Sequence, residues 1–434
     1  MSKTARNTAL LSSLGAGLEY YDFIIYGMMA TYLSALFFPS DNQALGTMKA
    51  FGVFAMGYVV RPFGGMIFGM FGDTYGRKKT FLSVMLLMAS ATFCIGLLPT
   101  YSQIGALAPI LLIFLRLLQG LSFAAELPGA ATVVYESSEK QKKAYYSSFV
   151  ISSASLGSIL ASFVIYLLSS SASQEQIHSW AWRIPFLFGG LLAFANYFIR
   201  KYLHETPDFK QLQAERPRSD LKAPLKELFQ SNKLQMLFGM GMNGVPAAMI
   251  IFSLYLPSYL GQYCAFSAPD IFLSMTLGMM WSACVLPVCG RLSDYLGKIN
   301  VFVGVCALFF CGALHLFHLL TIGNLGVLIA FMLIYQTVIG LLMASYFPIL
   351  LASFLTETRL TGVGVCYNVT YAIMGLAPVA ITSLIELTGS SSAGIWFLMG
   401  CAVVSGLSCL GLMIVEERRK NNSGEMKRNV YSVT

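Results

Sequence analysis

The chain has 434 residues, of which 56% are hydrophobic and 11% charged, with a formal net charge of +8. Soluble globular domains carry about 25% charged residues, so this chain has too few charges to solvate its own surface in water. That excludes a soluble enzyme, a disordered chain and a disulfide-stapled secreted domain, and it points to an integral membrane protein.

Helices are the expected spanning elements, because in lipid each satisfies its own backbone hydrogen bonds. Taken in chain order, the apolar runs predict twelve spans, at 9–37, 48–71, 80–98, 104–127, 145–169, 181–202, 234–261, 270–290, 300–320, 324–351, 361–387 and 393–415. Residues 203–232 are polar, hold Pro207, Pro217 and Pro224, and separate six runs from six. The predicted organisation is an N-terminal six-helix bundle (1–202), a cytoplasmic linker (203–232), a C-terminal six-helix bundle (233–417) and a cytoplasmic tail (418–434).

With the N-terminus inside, all of the 28 Lys and Arg except Lys49, Arg61, Arg116 and Arg183 fall on internal segments. That is the positive-inside pattern, and it puts both termini in the cytoplasm. Lys3 and Arg6 ahead of an apolar run resemble the start of a signal peptide, but Glu19 and Asp22 interrupt that run and no small-residue cleavage site follows. The first helix is therefore expected to stay. The nine cysteines form no CxxC pair and nearly all lie in apolar runs, where a thiol behaves as a small hydrophobe.

An internal repeat follows the second and the eighth runs. GMFGDTYGRKK recurs as GRLSDYLGKIN, with Gly69, Asp73 and Gly76 matching Gly290, Asp294 and Gly297. Two copies after the second helix of each half mark parallel repeats, which place a binding site between them. The glycines permit a tight turn and close helix approach, and the aspartate can pair with a basic residue such as Arg77 or cap the next helix.

These segments resemble the major facilitator superfamily, and within it the metabolite:proton symporters that include proline/betaine, shikimate, citrate and 2-oxoglutarate importers. LEYYDFIIYG (18–27), RPFGGMIFGMFGDTYGRKK (61–79), RLLQGLSFAAE (116–126), WRIPF (182–186), LHETPDF (203–209) and TRLTGVGVCYN (358–368) carry the likeness across both halves. The sequence departs from the family pattern at Ala124, Ala125 and Leu127, and at Lys298 and Ile299 in the second motif copy. The resemblance implies a fold of twelve transmembrane helices in two six-helix pseudo-repeat bundles, and a gating role for Gly69, Asp73, Gly76, Arg77, Asp294 and Gly297.

Charge inside a bilayer is costly and is normally retained for a task. Glu19 and Asp22 lie three residues apart on one face of the first helix, with Tyr26 a turn further on. Arg61 is central in the second run, and Arg116, Gln119 and Glu126 share a stripe of the fourth. Burial disfavours a carboxylate's charged form and a nearby guanidinium favours it, so an acid can trade a proton as its partner moves. The resemblance implies that role for Asp22, Glu19 and Arg116, with Glu126 on the same stripe; a permanent ion pair locking the helices is the alternative. Arg61, Arg116, Gln119, Tyr26, Tyr367 and Asn368 are the expected substrate contacts, since arginine suits a carboxylate and aromatic rings suit a quaternary ammonium.

His315 and His318 have helical spacing but no third ligand nearby in their run, so no metal site is expected. The sequence has no Walker A stretch and no catalytic motif, so neither ATP, a cofactor nor enzymatic activity is expected. The fifth run reads SSASLGSILAS rather than the GPxxGG-like stretch of drug exporters. The expected function is proton-coupled import of a small carboxylate-bearing metabolite or zwitterionic osmolyte by alternating access. Proton-driven export of a siderophore or toxic compound, and a non-transporting sensor, are its rivals. The expected partners are the solute, protons and the lipid bilayer, with no nucleic acid, for a monomer in the bacterial inner membrane.

Overall fold

The computed structural model describes residues 3–39, 49, 52–53, 55–201, 205–215, 220–264 and 266–431. The regular elements among them are helices, with no strand. The first bundle contains α1 (Lys3–Met28), α2 (Ala30–Phe37), α3 (Arg61–Tyr75), α4 (Arg77–Leu97), α5 (Leu107–Ser137), α6 (Lys143–Ser171) and α7 (Ile184–Arg200). The linker region forms two short helices, α8 (Pro207–Glu215) and α9 (Ala223–Ser231). The second bundle contains α10 (Lys233–Met242), α11 (Gly244–Tyr263), α12 (Ala268–Leu296), α13 (Lys298–His318), α14 (Leu325–Ser353), α15 (Arg359–Met374), α16 (Ala377–Thr388) and α17 (Ala393–Tyr431).

Among the described residues, nine helices are long and apolar enough to cross a membrane. The other three predicted spans are the first, interrupted by Glu19 and Asp22, the second and the sixth. The second span takes in residues 48, 50, 51 and 54, which lie outside the described set, as do 202–204 and 216–219 of the linker region and 432–434 of the tail. The sixth corresponds to the 17 residues of α7. The seventh and eleventh spans are each broken once, at Asn243 and at Gly375–Leu376.

The two bundles meet along two seams, α3 against α15 and α6 against α12, with α5 and α14 beside them. These seams are equivalents under the repeat. Glycine makes each possible: a Cβ on Gly69 would lie 2.6 Å from Thr361 Cα, and one on Gly290 2.7 Å from the Ala144 carbonyl. The motif turns also match, with Gly76 at φ 110° and Gly297 at φ 92°, conformations that only glycine adopts cheaply. The fourth span is longer than its apolar run suggested, because α5 continues to Ser137 with Ala130–Glu136 buried.

Candidate transport site

Every charged residue singled out inside the spans is buried rather than turned to lipid: Glu19, Asp22, Arg61, Arg116 and Glu126 are at most 2% exposed. Arg61 lies between the bundles. Its guanidinium is 4.5 Å from the Phe123 ring, 4.9 Å from Tyr58 and 5.5 Å from Phe23 in the first bundle, and 5.4 Å from Tyr371 in the second. The Tyr367 ring lies against that of Tyr371, tilted by 40° with centroids 4.5 Å apart, and its side chain also interacts with Arg61.

Arg116 sits deeper in the first bundle, 4.2 Å from the Tyr26 ring and 5.0 Å from Phe23. Phe23 thus lies against both guanidiniums. Arg116 Nη1 donates to Gln119 Oε1 at 2.9 Å, and Gln119 Nε2 donates to Thr92 Oγ1 at 2.7 Å, so α5 and α4 fix the guanidinium's direction. Asp22 is turned elsewhere. Its carboxylate packs against Gly189 of α7, where a Cβ would collide with Oδ1, and neither oxygen accepts a hydrogen bond from a described residue. Asp22 and Arg116 therefore form no ion pair in this arrangement. Glu126, ten residues after Arg116, is about 15 Å further along α5.

Asn368 ties the seam: its Nδ2 donates to the Ala124 and Gly364 carbonyls, each at 2.8 Å. A Cβ on Gly65 would lie 2.7 Å from that same Nδ2, so the glycine lets α3 and α15 close on each other.

The motif aspartates do parallel work at the other end of the seams. Asp73 accepts bonds from Leu360 N (3.2 Å), Thr361 N (2.8 Å) and Thr361 Oγ1 (2.7 Å), at the N-terminus of α15. Asp294 accepts from Ala144 N (3.1 Å) and Tyr145 N (2.8 Å), at the N-terminus of α6. Each half thus presents a carboxylate to the positive end of a helix in the other half, a favourable and strongly directional pairing. Arg77 and Lys298 pair with their own motif aspartates at 3.0 and 2.9 Å.

Around Arg77 lies a network that sequence reasoning missed. Glu136 accepts from Arg77 Nη2 (3.3 Å), Arg359 Nη1 (2.8 Å) and Thr206 Oγ1 (2.6 Å). Arg77 Nη2 also donates to the Thr356 carbonyl at 2.6 Å, and Arg359 Nη1 to Asp208 at 3.0 Å. Glu205 accepts from Arg77 N and Lys78 N, capping α4. The available signal was that Glu205, Asp208 and Arg359 fall within two family-like segments, LHETPDF and TRLTGVGVCYN. All the bundle-to-bundle bonds named here run from the midplane to the motif end, so that end is closed. Among the described residues no group of three His, Cys, Asp or Glu is arranged to hold a metal.

Two helical bundles related by a repeat, closed at one end and holding buried charge at their interface, define a multi-pass membrane transporter rather than an enzyme. Residues 13–378 match the model of the Major Facilitator Superfamily, and the chain belongs to that family. The proline/betaine transporter of Salmonella typhimurium is 32% identical over 92% of this chain and 81% of its own length. The inner membrane metabolite transport protein YhjE of Escherichia coli is 32% identical over 96% and 95%. Among solved structures, the proton:xylose symporter XylE bound to 6-bromo-6-deoxy-D-glucose superposes with a TM-score of 0.76 at 14% identity, over 94% of this chain and 95% of that one. The fold is thus an all-α membrane fold of twelve helices in two six-helix pseudo-repeat bundles.

Proposed function

We propose that this chain imports a small carboxylate-bearing metabolite or zwitterionic osmolyte together with protons, by rocking the 1–202 and 233–417 bundles about the site between them. The observation that carries this is Arg61, a buried guanidinium touched by rings from both bundles. A substrate carboxylate that pairs with it would interact with both halves at once and bias their relative position. The relatives, proline/betaine and metabolite transport proteins by name, support the substrate class.

Asp22 is the assigned proton carrier, with Glu19 on the same helix face. Its carboxylate is buried without a hydrogen-bond donor, which is the condition under which a proton is readily held. Arg116 and Gln119, reached through Phe23 and Tyr26, transmit the substrate's presence at Arg61 to α1. Glu126 belongs to the same stripe of α5. The motif residues Gly69, Asp73, Gly76, Arg77, Asp294 and Gly297 form the cytoplasmic gate, with both termini on that side of the inner membrane. Each charge carried through 100 mV contributes about 2.3 kcal/mol, sufficient for roughly 50-fold accumulation.

Purified protein in liposomes under an imposed inward proton gradient is expected to accumulate radiolabelled proline or a related carboxylate. Arg61→Ala should abolish uptake, while Asp22→Asn should lose uphill accumulation and keep counterflow exchange. Efflux driven by a gradient of the opposite sense, without proton-driven uptake, would make the protein an exporter.

A further inference from the structure

The question left by that reading, on which this inference rests, is which nitrogen chemistry the site accepts. A fully methylated ammonium has no N–H and is held by aromatic faces, whereas an ammonium that keeps N–H is held by hydrogen-bond acceptors. The aromatic faces gathered at the interface already surround a cation. Phe23, Tyr58, Phe123 and Tyr371 stand 4.5 to 5.5 Å from the Arg61 guanidinium. A second positive charge in that cage would be repelled. The cage therefore suits the anionic end of a zwitterion and not its cationic end.

The second bundle offers a different kind of contact close by. The Asn243 carboxamide oxygen and the Tyr346 hydroxyl are buried polar atoms without a hydrogen-bond partner among the described residues, on residues that are 0% exposed. Such atoms are uncommon in folded proteins and call for a ligand or a water to satisfy them. Asn243 occupies the break between α10 and α11, the kind of interrupted membrane helix at which transporters bind solutes. Its Nδ2 faces the Tyr367 carbonyl at 3.5 Å, which leaves the acceptor oxygen as the free atom. Tyr346 adjoins Phe347, whose ring lies 5.5 Å from that of Tyr367. Tyr367 is thus the common neighbour of Asn243, of the Tyr346–Phe347 segment and of Arg61.

We propose that Asn243 and Tyr346 read the nitrogen of the substrate through its N–H bonds, so that this chain takes amino or imino acids and discriminates against their fully N-methylated counterparts. The carboxylate pairs with Arg61, and the N–H donors point to the Asn243 oxygen and the Tyr346 hydroxyl.

L-proline and N,N-dimethylproline share ring and carboxylate and differ in whether the nitrogen carries two N–H bonds or two methyl groups, so their binding to the purified full chain, compared between wild type and the hydroxyl-free Tyr346→Phe protein, is the direct test. Wild type is expected to bind L-proline at least about tenfold more tightly. Tyr346→Phe removes a hydroxyl without stranding a partner, so it should keep its thermal stability and lose most of the preference; Asn243→Ala should also lose most of the preference. Equal affinity for the two ligands, or a preference unchanged in a folded Tyr346→Phe protein, would overturn the assignment. Proton-driven uptake on the same samples separates the two readings. Uptake without discrimination sinks this inference and leaves the importer; discrimination without uptake supports it and sinks the importer; binding of neither ligand overturns it.

Discussion

Replacing Asp73 by Asn tests whether the motif aspartates hold the two bundles together at their closed end. The wild-type carboxylate accepts three bonds from α15, at 3.2, 2.8 and 2.7 Å, and its two oxygens share them. An asparagine keeps the shape but has one acceptor oxygen, so its amide nitrogen must face a backbone N–H or rotate away. Hydrogen bonds to a charged group are each worth about 1.5–3 kcal/mol, so losing one or two of them costs the closed state roughly 3 kcal/mol. That shifts the ratio of closed to open molecules about a hundredfold. Spin labels on the exposed positions Lys142 and Asn300, in a background with the nine native cysteines replaced, would report the distance between the halves beside the gate. Asp73→Asn should add a longer-distance population. Asp294→Asn should do so as well, because it serves the N-terminus of α6 as Asp73 serves that of α15. Distance distributions indistinguishable from wild type in both single variants and in the double variant would refute the claim that these carboxylates close the gate.

Two further outcomes follow from the seams. Glu136→Gln takes the shared anion from the buried Arg77 and the partly buried Arg359, so the purified protein should lose about 3 kcal/mol of stability, read as a clear fall in melting temperature; an unchanged melting temperature would mean that the network contributes little. Gly65→Ala puts a methyl 2.7 Å from both the Gly364 carbonyl and Asn368 Nδ2. It should therefore slow transport by holding α3 and α15 apart, while Gly304→Ala, which has open space around it, should leave the rate unchanged.

Much of the site was legible before any coordinates, and the reason is dielectric. A charged residue in an apolar run is rare enough that Glu19, Asp22, Arg61, Arg116 and Glu126 stand out by position alone. The motif repeat was legible because glycine and aspartate at fixed spacing recur in register. Glu136, Glu205, Asp208 and Arg359 were not, since they lie at helix ends or in a polar linker, where a charged residue ordinarily meets water. They became partners, Glu136 buried and the other three partly so, because the packed chain brings them around Arg77. Tyr346 gave no warning either: one hydroxyl among 22 tyrosines reveals nothing until its neighbours leave it unpaired.

Membrane residence, helix content and the duplicated architecture are set by local chemistry, because lipid requires each apolar run to satisfy its own backbone and the repeat copies the result. Partnership across the interface is not local. Which ring faces Arg61, whether Asp22 meets Arg116, and what surrounds the end of α5 depend on contacts between different helices, such as Arg61 with Phe123 and Tyr371, Asp22 with Gly189, and Glu136 with Arg359. Such contacts exist only once the helices have packed, and so the grouping of charges into a network at one end and a caged guanidinium at the centre belongs to the tertiary structure.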